Sequence, residues 1–224
     1  MACTNPRQAI LRTSEDGSRW LDFKAMRCVP KDIELIKVPC RKCLSCRLKY
    51  SRDWAIRMSH EAQMHDDNCF LTLTYDEANL PANGSLDRSH VQKFLKRLRR
   101  RFEDRKIGVY YCGEYGEKLG RPHYHLCLFN LDFPDKKKRY VKKGFTYYYS
   151  DLIYELWPYG YHVLSSFSFD TAAYVARYVT KKIYGADSVN HYGDKVPEFC
   201  GMSTKPAMIV TGKHNELHTQ QYQN

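Results

Sequence analysis

The chain has 224 residues, 43% hydrophobic and 14% aromatic with 18 tyrosines, and its 36 lysines and arginines against 25 aspartates and glutamates leave a net charge of +11. This length suits one domain with elaborations, and the basic, tyrosine-rich balance favours a polyanion partner, because cations neutralise phosphates and rings stack on bases. Nine cysteines do not pair evenly into a disulfide framework, residues 1–6 carry no apolar signal core, and no apolar run approaches the ~18 residues of a membrane span, so we expect reduced cysteines, no membrane partner and a chain of the cytoplasm.

In chain order, residues 1–43 read as an irregular N-terminal segment with weak strand patches near residues 10–11 and 33–38. It ends in Cys40-Arg41-Lys42-Cys43-Leu44-Ser45-Cys46. Thiolates at this spacing let one turn of backbone wrap a Zn²⁺ ion, which needs a fourth ligand. Cys3 and Cys28 are the candidates, and Cys69 is poorer because it begins a strand. The competing reading puts Cys43 and Cys46 merely on adjacent helical turns. Residues 44–65 are helical, with Leu44, Leu48, Trp54, Ala55, Met58 and Ala62 near one stripe.

Residues 69–75, Cys-Phe-Leu-Thr-Leu-Thr-Tyr, form a strand rich in β-branched and aromatic side chains. Ser89 caps a second helix running to about residue 106, with Val91, Phe94, Leu95, Leu98 and Phe102 as its buried stripe. Lys93, Lys96, Arg97 and Arg100 cover much of the rest. That run is either a solvated face or a phosphate-facing one, and its single sign favours phosphate.

Residues 107–115 form another strand, and Pro122-His123-Tyr124-His125 returns antiparallel to it after a loop that includes Arg121. Strand alternation sends His123 and His125 to one face and Tyr124 to the other. The hairpin can bring Glu114 near both, with Glu117 as competitor. Two imidazoles and a carboxylate make a mixed nitrogen and oxygen site suited to Mn²⁺ or Mg²⁺. Residues 131–149 read as an insertion or linker and 151–157 as a short helix. A strand follows at 161–165, and Asp170 caps a helix over 171–184. On that helix Tyr174 and Tyr178 share a face, with Lys181 and Lys182 one turn on. Tyrosines at this spacing are often packing residues; the lysines beside them argue against a plain core face. We place a main domain at 44–188 and a C-terminal extension at 189–224.

Taken together, Phe70-Leu71-Thr72-Leu73-Thr74-Tyr75, Arg121-Pro122-His123-Tyr124-His125, and Tyr174 with Tyr178, Lys181 and Lys182 resemble the three motifs of the HUH endonucleases that initiate rolling-circle replication. The chain is similar, more closely, to replication initiation proteins of small single-stranded DNA phages, the gokushovirus branch of the microviruses. Cys40-x2-Cys43-x2-Cys46, Gly113-Glu114-Tyr115-Gly116 and Met202-Ser203-x-Lys205-Pro206 look like that branch.

The resemblance implies an α+β fold, a central antiparallel sheet of about five strands flanked by helices. It implies metal at His123 and His125 with Glu114 as third ligand, and Tyr174 and Tyr178 as nucleophiles assisted by Lys181 and Lys182. It also implies a single-stranded DNA origin as substrate. The implied phosphotyrosine stores the bond energy for rejoining, so no nucleotide cofactor is needed. No Gly-x4-Gly-Lys-Ser/Thr segment is present, so unwinding falls to a host helicase, and synthesis to a host polymerase in the host cytoplasm. The rival readings are a relaxase or transposase of the same chemistry, and a non-catalytic zinc-containing nucleic-acid-binding protein.

Overall fold

A computed structural model describes residues 2–23, 35–142, 144–178, 183 and 186–203. Its contacts divide into two units, one up to Tyr50 and one from Ser51 onward. In the first, β1 (Arg7–Thr13) lies between β2 (Arg19–Asp22) and β3 (Leu35–Val38) in a small antiparallel sheet. Residues 1–43 are therefore less irregular than their sequence suggests. The first helix, α1 (Leu44–Gln63), begins in this unit and runs into the second. Leu44, expected in its buried stripe, is exposed, whereas Trp54, Ala55 and Met58 are buried.

The second unit is built on a seven-stranded sheet. Its central strands are β4 (Asn68–Tyr75), β5 (Gly108–Tyr115), β6 (Pro122–Phe129) and β9 (Gly160–Ser166). At one edge stand β7 (Lys137–Lys142) and β8 (Phe145–Tyr149), and at the other β10 (Phe199–Met202). The order is β10-β5-β6-β4-β9-β8-β7, antiparallel throughout. The α+β class and the flanked antiparallel sheet agree with expectation, and the sheet is wider than the expected five strands. Residues 131–149 are no linker: they contribute a hairpin that pairs with β9 through Tyr147 and Tyr148. Dense lysine is compatible with an edge strand, where it also deters pairing with another chain. The C-terminal stretch likewise supplies β10 and a short helix, α5 (Ala186–Tyr192).

Alternation sorts the sheet into two faces. Leu71, Leu73, Tyr124, Leu126 and Leu128 point to one face, where α2 (Arg88–Arg101) packs Val91, Phe94, Leu95 and Leu98 against them. The next helix, α3 (Asp151–Leu156), adds Ile153 and Leu156 to this core, and Trp157 follows it. Each such buried side chain contributes about 1.5–3 kcal/mol, which makes this face the stable one. The cap of α2 is Asp87, which accepts from the Ser89 N–H, rather than Ser89 itself. On the other face Trp54 of α1 meets the Tyr110 ring at 5.0 Å. There too lies α4 (Phe169–Arg177), whose cap is Ser168 in a reciprocal box with Thr171; Asp170, the expected cap, sits in its first turn. Gly160 enters β9 at φ +147° beside the end of β4, where a Cβ would collide with the backbone nitrogen of Asp76.

Candidate functional site

The centre of the second face is set by register. His123 of β6 pairs with Glu114 of β5 on one side and Thr74 of β4 on the other. His125 pairs with Cys112 and Thr72. Paired residues share a face, so Glu114, His123 and His125 converge, and their ligand atoms lie within 4.8 Å of one another. Glu114 and His125 are buried, at 2% and 4% exposure. Glu117, the competitor in the sequence, is exposed and lies outside the set.

The hydrogen bonds orient this set for a cation. His123 Nδ1 lies 3.0 Å from the Arg121 carbonyl, which can only accept, so Nδ1 carries the proton. In the neutral ring Nε2 then presents a lone pair, and it faces Glu114 Oε1 at 2.6 Å. Two acceptors at that distance require a proton or a metal ion between them. His125 directs Nε2 to the same oxygen at 3.1 Å, and its Nδ1 is held by Thr72 Oγ1 at 2.9 Å. Partners on the far nitrogen fix the ring and its tautomer in metal sites generally. Burial works against ionisation of Glu114, but the hydrogen bonds from His123 and His125 outweigh it and hold the carboxyl below its ordinary value. The donor set therefore fits a divalent cation. Thr72 escapes sequence reading because its role depends on the β4–β6 register.

The tyrosines of α4 lie over this set and differ sharply. Tyr178, the helix C-cap, is 4% exposed and stacks on His125 with centroids 5.2 Å apart and planes 5° off parallel. Tyr174 is 43% exposed and meets the same imidazole edge-on at 5.3 Å. The two phenol rings are 4.9 Å apart. Burial, then the hydrogen bond with Tyr174, then the Glu114 charge push the Tyr178 hydroxyl far above its ordinary value. A cleft of about 700 Å³ opens beside them, lined by Glu114, His123, Tyr174 and Tyr178 with the cations Lys118, Arg121 and Arg177. Lys181 and Lys182 lie outside the described residues.

Arg121 lines the cleft while its guanidinium binds the Tyr75 carbonyl and Glu77. The other cations expected to meet DNA lie elsewhere. Lys93, Lys96 and Arg100 are exposed on α2, which packs on the opposite face of the sheet from the histidines. Arg97 is half-buried there and donates to the Leu156 carbonyl at 2.8 Å. The amphipathic pattern of α2 carries no information about which sheet face it covers.

The first unit holds a separate cluster. Cys3, Cys40, Cys43 and Cys46 bring their sulfurs within 4.8 Å of one another. Cys40 and Cys46 are 4.0 Å apart, Cys43 and Cys3 3.8 Å. Four sulfurs around one Zn²⁺ at about 2.3 Å stand roughly 3.8 Å apart, far beyond a disulfide. Arg41, at φ +61°, shapes the turn between the first two cysteines of the motif. The N–H groups of Cys43 and Lys42 lower the Cys40 thiol, and those of Cys46 and Thr4 bring Cys43 down to about 5. Cys46 is pushed up to about 12, chiefly by burial. Cys69 lies in the apolar core of the sheet, and Cys28 is outside the described residues.

The sequence model of the replication-associated protein ORF2 family matches residues 68–183. That span contains Glu114, His123, His125 and both tyrosines and none of the clustered cysteines. The chain is 41% identical over 171 residues to replication-associated protein VP4 of Bdellovibrio phage phiMH2K, covering 73% of this chain and 54% of that protein. It is 42% identical over 156 residues to replication-associated protein ORF2 of Spiroplasma virus 4, covering 65% and 48%. Against replication-associated protein ORF4 of Chlamydia phage 1 the identity is 38% over 159 residues, covering 67% and 40%. The chain thus spans about half the length of the curated relatives it matches. No solved structure matches it.

Proposed function

The chain belongs to the replication-associated protein ORF2 family, and from that premise we propose that it starts replication by nicking and rejoining single-stranded DNA at an origin. The observation that carries this reading is the pair of phenol rings within 5.3 Å of His125, above the Glu114–His123–His125 set.

Glu114, His123 and His125 are the residues to hold Mn²⁺ or Mg²⁺, which when bound supplies polarisation of the scissile phosphate and charge stabilisation. Arg121, Arg177 and Lys118 hold the phosphate backbone in the cleft. Tyr174, the exposed phenol, is the first nucleophile. It gives its proton to solvent and its oxygen bonds to phosphorus. The bond from phosphorus to the 3′ oxygen breaks, and that oxygen leaves as a hydroxyl after taking up a proton. A 5′-phosphotyrosine remains. Tyr178, held neutral under Tyr174, acts second, on the junction produced by a round of synthesis. In the closing step a 3′-hydroxyl attacks the phosphotyrosine and the phenol leaves, so the bonds balance without a nucleotide cofactor. Lys181 and Lys182 assist the phenols, a host helicase opens the duplex, a host polymerase extends the 3′ end, and the setting is the host cytoplasm.

The cysteine cluster takes Zn²⁺ as a structural ion, the soft counterpart of the oxygen and nitrogen site. The test of the main reading is incubation with Mn²⁺ and end-labelled single-stranded origin DNA, followed by a denaturing gel. A DNA-linked protein band that is lost in the Tyr174→Phe/Tyr178→Phe double variant supports it. Binding without cleavage across metals and origin sequences sinks it in favour of a non-catalytic DNA-binding role.

A further inference from the structure

The strand register carries the histidine face well past the metal site, onto a surface that the chemistry above does not use. His123 pairs with Thr74 and Thr74 with Tyr161 of β9. Tyr147 of β8 pairs with Ser165, and Ser165 with Phe70, whose ring stacks on His125 at 5.7 Å. Tyr161, Tyr147 and, two residues along, Tyr149 therefore stand on the same face as the histidines. Across the hairpin Lys137 pairs with Tyr149, Tyr140 with Tyr147, and Lys142 with Phe145.

We propose that this face of the β7–β8 hairpin, together with Tyr161, is a platform for the unpaired bases of single-stranded DNA, holding the strand beside the metal site; the proposal rests on the nicking function above. Three observations carry it. The aromatics are exposed where core packing would hide them: Tyr161 is 58%, Phe145 46% and Tyr140 41% exposed. Tyr140 and Tyr147 lie nearly flat on each other, 4.8 Å apart at 24°, leaving a ring face to the solvent. Cations are interleaved with the rings, Lys137 sitting 5.7 Å from the centroid of Tyr149. Lys137 also pairs with Asp151, but Lys138, Arg139 and Lys142 make no ion pair among the described residues.

Guarding an edge strand explains lysines; it does not explain exposed tyrosine rings beside them. Cations that track a backbone and rings that accept bases are the combination that binds single strands without sequence preference. Duplex DNA offers base edges, and its base faces are already stacked. The span from β6 to β7 is four strand spacings, roughly 19 Å, or about six nucleotides at the 3.4 Å spacing of a stacked strand.

The experiment is fluorescence anisotropy of a labelled thymidine oligonucleotide of about 20 nucleotides, without metal and over a salt series. Tyr140→Ala/Tyr147→Ala should weaken binding about fivefold or more, the lower bound for one lost stack, with an unchanged salt slope. Lys138→Glu/Arg139→Glu/Lys142→Glu should flatten the salt slope by roughly one for each phosphate left without its cation. Both variants should form the covalent adduct at the wild-type rate when DNA is saturating, and their thermal midpoints should match wild type. On the unaltered chain, an oligonucleotide carrying 5-iodouracil should photocrosslink to Tyr140, Tyr147 or Tyr161. Unchanged binding in the tyrosine variant, equal weakening on a blunt duplex, tighter binding of the matching RNA, or crosslinks confined to α2 would each overturn the platform. A wild-type chain that never nicks while the tyrosine variant still loses affinity removes the nicking function and leaves the platform standing.

Discussion

Separate substitutions Tyr174→Phe and Tyr178→Phe test the order of the two nucleophiles. In the resting structure Tyr178 is 4% exposed and stacked on His125, whereas Tyr174 is 43% exposed and lines the cleft. For Tyr178 to strike first in a Tyr174→Phe chain, its ring must leave the stack and its buried position. Exposing a buried aromatic costs about 1.5–3 kcal/mol, and the lost ring pairing adds about 0.5–1.5 kcal/mol. The total is on the order of 2–4 kcal/mol, which slows the first nick by a factor of roughly 30 to 1,000. Tyr178→Phe keeps the exposed nucleophile, so its first nick should stay within about threefold of wild type while the second transfer is lost. The assay is single-turnover cleavage of labelled single-stranded origin DNA in Mn²⁺, with the covalent adduct followed on a denaturing gel. A Tyr174→Phe chain that forms adduct at the wild-type rate, or a Tyr178→Phe chain with no first nick, refutes the ordering.

Glu114→Gln keeps the shape of the site and removes its anion; Mn²⁺ affinity should fall by about tenfold or more, read by calorimetry, and an unchanged affinity would place the metal elsewhere. His162 is 1% exposed and accepts from the Ser150 N–H at 3.0 Å. Burial first, and then the Arg139 charge, lower its pKa to about 4, so the unfolded chain takes up the proton before the folded one does. Its stability contribution is therefore full above pH ~6.5 and is lost as pH falls toward ~4, about 3 kcal/mol in all. Urea titrations should show that loss and should show less of it in His162→Asn. Zinc analysis should find one ion per chain, retained in His123→Ala/His125→Ala and lost in Cys43→Ser; the reverse pattern would put the zinc on the histidines. Finally, Lys93→Glu/Arg100→Glu, on the far face of the sheet, should leave nicking at saturating DNA within about threefold, because exposed charges a sheet-thickness away are screened; a large loss would mean DNA also tracks α2.

Much of the site was legible because its signals are local. A period of two puts His123 and His125 on one face, a hairpin brings Glu114 to them, and a period near four sets Tyr174 beside Tyr178. The cysteine spacing likewise announced a thiolate cluster. Where sequence reading went astray, the deciding interactions were long-range. The Lys137–Lys142 stretch has the composition of a linker, yet β8 pairs with β9 and draws it into the sheet. Leu44 matched the helical stripe but begins α1 where the chain leaves it exposed.

By itself, then, the sequence determined which side chains share a face within each element, and with that the donor set, the tyrosine pair and the family. Only the tertiary structure decided which face of the sheet each helix covers, that Thr72 holds His125, that Cys3 completes the thiolate set, and that Tyr178 is buried while Tyr174 is open. The physical reason is that periodicity records how a segment meets a surface, whereas register and packing between segments far apart in the chain choose which surface it meets.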